Sequence, residues 1–301
     1  MKHWKNHLAA LLALALILSL AACGGNPAPA ESNDAPDTSP ADEPAAPQLP
    51  EGALVIAEQG MFSSGGTVTE PVEGEYDETT NWLELERRGN TAHVGYANVL
   101  CQIPAKETGL PIVYLHGYGQ SRMGWMTTPD GRDGWSTLFL QKGHSAFLVD
   151  QPGRGEAGSA VEMTMDGMLD AWAKDSKAYK PGDQAWYTHF RIGRVAPERY
   201  EGSQFPEGNA AQDQFFRQMT PNTTTFDQPG IAAAMGAVMA DVMERTGKKS
   251  IFMTHSQGGA VGWDVPVGNI ATIVAIEPGG TPQPGSEQYQ RLLEAKIPVA
   301  V

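Results

Sequence analysis

Cysteine is nearly absent from this chain of 301 residues, which contains only Cys23 and Cys101. Two cysteines are too few for the disulfide framework of a small secreted domain or for a cysteine-rich zinc site. Basic residues are also scarce, because 21 Lys and Arg stand against 35 Asp and Glu, for a net charge of −14. A surface this acidic argues against binding to nucleic acid and against electrostatic adhesion to anionic lipid.

No apolar run reaches the length of a membrane span. The run nearest the N-terminus covers residues 8–22 and follows Lys2 and Lys5, an arrangement typical of a signal peptide. Its end, residues 20–24 (LAACG), resembles the lipobox of bacterial lipoproteins, which implies that Cys23 is lipidated and becomes the new N-terminus. We therefore expect a signal peptide over 1–22 and a lipid anchor at Cys23, on the extracytoplasmic face of the cell envelope. A cleaved signal with a chance cysteine is the alternative.

The segment after Cys23 has a composition that forms no core. Residues 24–52 hold seven Pro, six Ala and six acidic residues, with no Lys or Arg. We predict a disordered tether over 23–52, because such a chain buries little apolar surface and repels itself. The remaining residues, 53–301, are predicted to form one domain with a sizeable core.

Strands alternate with helices along this body, which predicts an α/β fold built on a mostly parallel sheet. The predicted strands are 93–103, 111–115, 144–149, 250–254 and 270–276, and the predicted helices are 134–141, 230–246, one from about 258, and 286–295. Met235, Met239 and Met243 recur at four-residue spacing and are predicted to be core residues rather than a metal or cofactor site. Residues 157–226 have little periodicity and are predicted to form an inserted lid.

One turn carries the strongest chemical signal. Residues 250–259 (SIFMTHSQGG) form an apolar strand, a small polar turn with Ser256, and two glycines before a helical stretch. This is the context of a nucleophile elbow, in which the N–H of Gln257 faces the developing oxyanion. Thr254 stands where the G-x-S-x-G pattern has its first glycine, while Gly258 is kept. A plain serine-containing strand-to-helix turn therefore stays open as the alternative.

Two further loops follow predicted strands. Residues 116–119 (HGYG) are placed to supply a second oxyanion donor. This donor would be the N–H of Tyr118 or, as the lesser candidate, the N–H of Gly119. A tight glycine turn without this function is the alternative. His116 is expected to be a structural residue rather than a base. Residues 150–155 (DQPGRG) match neither glycine pattern of the nucleotide-binding loops, so nucleotide binding is dismissed.

These three segments, in this order and spacing, resemble the alpha/beta-hydrolase superfamily. The run 115–155, including 127–135 (TTPDGRDGW), is similar more narrowly to the bacterial esterase 713-like branch, and the resemblance covers about 55–301. It implies a mostly parallel sheet with helices on both faces and a lid, and a Ser-His-acid hydrolase of small carboxylic esters that needs no metal or organic cofactor. In that branch the acid follows the sixth strand, which implies Glu277.

Glu277 is also favoured on chemical grounds. It lies at the C-terminal end of a predicted buried strand, on the sheet edge where Ser256 should emerge, and its carboxylate could stabilise a charged imidazole. A solvated Glu before a Pro-Gly turn is the alternative, and Asp150 is the second candidate for the acid.

The histidine of the triad is missing. In this fold the triad order is Ser, acid, His, yet none of the seven histidines follows Glu277. His255 adjoins Ser256, so its side chain should diverge, and His189 lies in the predicted lid. Because residues 297–301 (IPVAV) have the pattern of a buried strand, we expect a chain truncated before one more strand and a His loop, and inactive or poorly folded in this form.

Other interpretations of the sequence are also open. Trp125, Trp135, Trp172 and Trp186 are candidates for an apolar substrate pocket, with plain core packing as the alternative. A non-catalytic lipoprotein that binds a ligand in the hydrolase cleft is favoured by the missing histidine and opposed by the intact elbow. A solute-binding protein would need two similar lobes, and the sequence indicates one.

Overall fold

A computed structural model describes residues 49–301, apart from positions 51, 72, 78, 80–87, 92, 159–181 and 225. The predicted signal peptide, Cys23, nearly all of the predicted tether, the first part of the predicted lid and Trp172 lie outside the described residues. Within them, no helix combines the length and the apolar character needed to cross a bilayer. Cys101, the single cysteine in this part of the chain, is buried with a free thiol.

Seven of the strands form one sheet in the order β1-β2-β4-β3-β7-β8-β9. The strands are β1 (Ile56–Val68), β2 (His93–Pro104), β3 (Ile112–Leu115), β4 (Ala146–Asp150), β5 (Gly193–Val195), β6 (Glu198–Arg199), β7 (Ser250–His255), β8 (Ile270–Ile276) and β9 (Val299–Ala300). Strands β1, β2 and β4 pair antiparallel, whereas β4, β3, β7, β8 and β9 run parallel. The predicted mostly parallel sheet is therefore confirmed, and β5 and β6 form a separate hairpin.

Helices connect the parallel strands and cover the sheet. They are α1 (Met123–Met126), α2 (Trp135–Leu140), α3 (Asp183–His189), α4 (Asn209–Gln218), α5 (Gln228–Thr246), α6 (Gln257–Gly262) and α7 (Glu287–Glu294). The longest, α5, begins where the Asp227 carboxylate accepts the N–H of Gly230 and ends at Gly247, whose φ of 67° suits a left-handed cap. Of its predicted core methionines, Met235 and Met239 are fully buried and Met243 is half-buried.

The central strands β4, β3 and β7 are buried on both faces of the sheet, as expected for strands with helices on each side. Alternate residues of β3 enter different clusters: Val113 and Leu115 pack with the buried face of α5, whereas Ile112 and Tyr114 pack with side chains of α1 and α2. This arrangement fixes the central strands, and the carboxyl ends of β3, β7 and β8 meet at one edge of the sheet.

Some elements differ from the sequence-based expectations. Strand β1 was not predicted, because it is an edge strand with mostly exposed side chains and lacks a clear apolar alternation. The closing strand β9 was predicted to be buried, and this is wrong: both of its residues are exposed, Val299 by 42%. The predicted irregular region contains α3, the β5–β6 hairpin and α4, which enclose an aromatic core of their own.

Candidate active site

Ser256 occupies a strained turn between β7 and α6. Its φ of 52° and ψ of −116° lie in a region that non-glycine residues rarely adopt, and such strain is concentrated at functional sites. Four backbone hydrogen bonds hold the turn. The N–H of Ser256 donates to Ile276 O at 3.1 Å, and its carbonyl accepts from the N–H groups of Gly259 at 2.9 Å, Gly279 at 2.7 Å and Ala260 at 3.3 Å. The turn is therefore fixed from both β8 and α6.

Glycine is required where the elbow meets the neighbouring loop. A Cβ at Gly258 would lie 2.4 Å from the carbonyl oxygen of His116, and a Cβ at Gly117 would lie 3.0 Å from the Cβ of Ser256. Side chains at these positions would push the loop after β3 away from Ser256. The glycines of both motifs are therefore needed for the same close contact, between the serine turn and the loop after β3.

Thr254 replaces the first glycine of the usual elbow pattern, and the structure shows how it is accommodated. The side chain is 1% exposed. Its Cγ2 lies 3.2 Å from where a Cβ would stand at Gly262, and its Oγ1 lies 3.4 Å from the same point at Gly259. The small residues that this elbow needs are therefore on the facing helix α6 rather than at position 254.

Of the two residues predicted to supply oxyanion donors, Gln257 follows Ser256 directly and Tyr118 lines the same pocket. Gln257 is the first residue of α6, so its N–H has no acceptor within the helix. Tyr118 lies in the loop after β3 and lines the same pocket, of about 330 Å³, as Ser256. That loop is held by Thr220, whose N–H donates to Gly119 O at 2.8 Å and whose hydroxyl donates to Gln120 O at 2.9 Å.

His116 is a buried structural residue. Its Nδ1–H donates to Gly117 O at 2.9 Å, and its Nε2 accepts the N–H of Gln151 at 3.4 Å. Burial lowers the pKa of His116 to about 4, so the imidazole is neutral at physiological pH. Both ring nitrogens are occupied by the protein, which leaves none for a proton transfer with Ser256.

Asp150 is likewise committed to the fold. Its carboxylate accepts the backbone N–H of Arg122 at 2.8 Å, the guanidinium of Arg122 at 3.0 Å and the N–H of Glu156 at 3.1 Å. It is buried at the end of β4, and it lines none of the cavities that contain Ser256. The geometry therefore disfavours the second candidate acid.

Glu277 shares the pocket over Ser256. It follows β8, the neighbour of β7, and has a φ of 41°. His255 and His189 line the same pocket. Burial lowers the pKa of His255, and the carboxylate of Glu277 partly offsets this effect, so the two groups interact. Among the described residues, neither histidine is hydrogen bonded to the Ser256 hydroxyl.

The sequence did not reveal the role of Arg154. This residue is 3% exposed, and one of its terminal nitrogens donates to the side-chain oxygen of Gln257 at 3.3 Å. Its guanidinium carbon lies 5.2 Å from the centre of the Tyr118 ring. Gln151 Nε2 donates to the same oxygen of Gln257 at 3.3 Å. The only sequence signal was an arginine in the turn at 150–155.

The predicted tryptophans divide between two cavities. Trp125 and Trp135 line a pocket of about 220 Å³ together with His255, and Trp186 lines the pocket over Ser256. The ring of Trp186 packs 5.8 Å from that of Tyr118. In the described part of the chain, no cluster of three or more His, Cys, Asp or Glu could hold a metal ion.

Known proteins resemble this arrangement to different degrees. No family model matches the chain. The solved structure of a novel bacterial esterase is 29% identical, with a TM-score of 0.67, over 84% of this chain and 77% of that one. A probable secreted lipase of a fungal species is 29% identical over 181 residues, which are 57% of this chain but only 46% of the lipase.

A further solved structure, brefeldin A esterase, is described as a bacterial homologue of human hormone sensitive lipase. It is 16% identical, with a TM-score of 0.33, over 83% of this chain and 47% of that one. The parallel sheet, the strained serine turn at its carboxyl edge and the likeness to the bacterial esterase agree with one another. The chain has the alpha/beta-hydrolase fold.

Proposed function

We propose that this protein is a serine carboxylic-ester hydrolase. Ser256 is the nucleophile, Glu277 is the acid of the triad, and the N–H groups of Tyr118 and Gln257 form the oxyanion hole. The observation that carries the proposal is the strained turn of Ser256 in one pocket with Glu277 and Tyr118. The similar bacterial esterase and the secreted lipase support it.

In this mechanism the hydroxyl oxygen of Ser256 attacks the ester carbonyl while an imidazole takes its proton. The carbonyl oxygen becomes an anion that the two N–H groups stabilise, the alcohol leaves with the proton, and water then releases the acid from Ser256. Glu277 would orient the imidazole and stabilise its positive charge. Removing one oxyanion donor costs about 10²–10³-fold in rate in a comparable site.

No histidine of the described residues joins Ser256 to Glu277 by hydrogen bonds. An oxyanion hole and substrate binding without a complete triad still give roughly 10³–10⁴-fold acceleration over water. The sequence predicts a 301-residue chain that is inactive or poorly folded, so for the folded chain alone we expect at most slow hydrolysis of p-nitrophenyl acetate. We expect imidazole added to the buffer to raise the rate by entering the pocket beside Ser256.

The test measures turnover of p-nitrophenyl acetate by the 301-residue chain as imidazole is added. Because imidazole itself attacks p-nitrophenyl acetate, the Ser256→Ala variant should lower the imidazole-dependent rate to that of imidazole in buffer without protein. The Ser63→Ala variant, which changes an exposed serine on β1, should keep the full rate of the wild-type chain. An imidazole-dependent rate that is equal in the wild-type chain and in Ser256→Ala would contradict a role for this serine.

A non-catalytic ligand-binding protein is the second candidate, favoured by the absence of a bonded Ser-His pair among the described residues. A fluorophosphonate probe separates the two, because it labels an activated serine covalently. Labelling of the wild-type chain in the presence of imidazole, and none of Ser256→Ala, would support the hydrolase. No labelling of either protein would support the binding function.

We further propose that the chain is a lipoprotein held at the extracytoplasmic face of the cell envelope, with a signal peptide over 1–22, lipid on Cys23 and a tether over 23–52. Residues 20–24 (LAACG) support the anchor, and the secreted lipase relative supports an extracytoplasmic location. Metabolic labelling with an alkyne fatty acid should mark the full chain and not its Cys23→Ser variant. Equal labelling of both would contradict the anchor.

A further inference from the structure

A large cleft adjoins the pocket over Ser256. It has a volume of about 880 Å³ and lies between residues 200–206 and the turn at 128–132. The cleft and the pocket share four lining residues: Phe190, Arg191, His255 and Glu277. A molecule whose reacting carbonyl lies at Ser256 can therefore extend directly into this space, which we call the lid cleft.

Aromatic rings form one wall of the lid cleft. Phe215 packs edge-to-face against two neighbours, with ring centres 5.2 Å from Phe190 and 5.2 Å from Phe205. Phe190 in turn lies 5.4 Å from Trp186, which contacts Tyr118. Because each ring is held by the next, this wall is a preformed surface, and it favours flat apolar groups over flexible polar ones.

Polar and charged side chains line the rest of the lid cleft, among them Arg132, Arg191, Glu201 and Glu277. The hydroxyl oxygen of Ser203 is buried and has no hydrogen-bond partner among the described residues. Arg191 lines both the cleft and the pocket, and it forms no ion pair with any of the described residues. Because the Ser203 oxygen is buried rather than open to the cleft, it offers a ligand no hydrogen bond, and the aromatic rings provide the contact for an apolar group.

His255 lines two cavities that differ in capacity. The pocket at Trp125 and Trp135 has about 220 Å³, and an engineered cavity of about 150 Å³ in another protein is enough for benzene. The lid cleft is in the range of about 300–1,000 Å³ that is usual for sites of drug-sized ligands. Of the two cavities that His255 lines, only the lid cleft therefore has room for a large group.

We propose that the lid cleft binds the larger group of the substrate, and that the substrates are carboxylic esters carrying a bulky, largely apolar ring system such as a bicyclic aryl group. This inference rests on the proposed ester hydrolysis at Ser256 and adds the substrate class. Phe205 is a specificity-determining residue in this scheme, because its ring lies in the cleft wall and away from the reacting atoms.

Binding is tested without catalysis by N-(2-naphthyl)acetamide, the amide counterpart of 2-naphthyl acetate. Calorimetric titration of the full chain should give a Kd at least about tenfold lower for this amide than for N-methylacetamide, since only the former reaches the aromatic wall. Phe205→Ala should raise the Kd of the naphthyl amide about fivefold. Ser203→Trp, which fills the cleft instead of opening it, should raise it by at least about tenfold.

Phe62→Ala is the matched control, because Phe62 is a half-buried phenylalanine on β1 that packs against Phe147 and lines no part of the cleft. It should leave the Kd within about twofold of the wild-type value. Equal affinity for the naphthyl amide in the wild type, Phe205→Ala and Ser203→Trp would overturn the inference.

Hydrolysis separates this inference from the function on which it rests. With imidazole present, both cleft variants should lower kcat/KM for 2-naphthyl acetate and leave methyl acetate unchanged. If the naphthyl amide binds with the expected pattern while neither ester is hydrolysed, the cleft is supported and the proposed hydrolase is wrong. If both esters are hydrolysed and neither variant changes their ratio, the hydrolase is supported and the cleft inference is wrong.

Discussion

Arg154 donates a hydrogen bond to the side chain of Gln257 at 3.3 Å, although the two residues are 103 positions apart in the chain. The same guanidinium covers the ring of Tyr118. Burial lowers the pKa of Arg154 to about 10, which still leaves it positively charged at neutral pH. A buried cation therefore contacts both residues that are proposed to stabilise the oxyanion, and its hydrogen-bond and ring partners are neutral.

This relationship predicts that activity and stability respond differently to a change at Arg154. Arg154→Met should lower the imidazole-dependent turnover about tenfold, because both donor residues lose a common contact. Its free energy of unfolding should change little or increase, because a buried charge that has no opposite charge as a partner among the described residues is replaced by an apolar side chain of similar length.

Turnover and urea unfolding check this prediction on the same preparation. Arg154→Lys is the control: it keeps the charge but loses the planar group that stacks on Tyr118, and should recover part of the rate. A parallel loss of activity and stability in Arg154→Met would indicate a purely structural role.

We expect that restoring the usual glycine at position 254 destabilises the protein. Thr254→Gly restores the usual elbow pattern, yet it should destabilise the protein by about 1–2 kcal/mol, because the space against Gly259 and Gly262 is left empty. Thr254→Val should be neutral or stabilising, since the buried hydroxyl has no hydrogen-bond partner among the described residues. Urea unfolding midpoints of the two variants check the order; a more stable Thr254→Gly would contradict it.

Gly258 should be intolerant of any side chain. Gly258→Ala would bring a methyl group to 2.4 Å from His116 O and 2.9 Å from Leu115 O, both backbone atoms. We expect a loss of about 3 kcal/mol in the free energy of unfolding. Gly268→Ala, which meets no atom within 4 Å, is the control and should change stability by less than about 1 kcal/mol. Equal unfolding midpoints for the two variants would refute the close contact.

His116 predicts a dependence of stability on pH. Its pKa is about 4 in the folded protein against an ordinary value of 6.5, so between these values the unfolded chain binds more protons than the folded one. Stability should therefore be fully present above about pH 6.5 and decline as the pH falls towards 4, by roughly 3 kcal/mol from this group.

Replacing His116 by Asn removes the titrating group. Unfolding free energies measured from pH 7 to pH 4 should fall less steeply for His116→Asn than for the wild-type chain, whatever the stability of the variant at pH 7. Identical slopes in the two proteins would exclude His116 as the source.

The sequence predicted those features that depend on local pattern. The apolar strand into Ser256 and the glycines of the two motifs were sufficient to place the elbow and its partner loop, because short buried strands and tight turns leave clear signals. Strand β1 gave no such signal in the sequence, since an exposed edge strand needs little alternation of apolar and polar residues. The network of Arg154, Gln151 and Gln257 could not be predicted either, because it depends on which loops meet across the sheet edge.

The contacts of Gly119 have a consequence for how this protein can change. Trp186 lies where a side chain on Gly119 would stand, and Thr220 binds the backbone of the same loop. The segment that shapes the substrate cleft is thus also the support of a proposed catalytic loop. A mutation that widens the cleft will tend to displace Tyr118 as well. The substrate range and the turnover of the proposed hydrolase therefore cannot evolve independently.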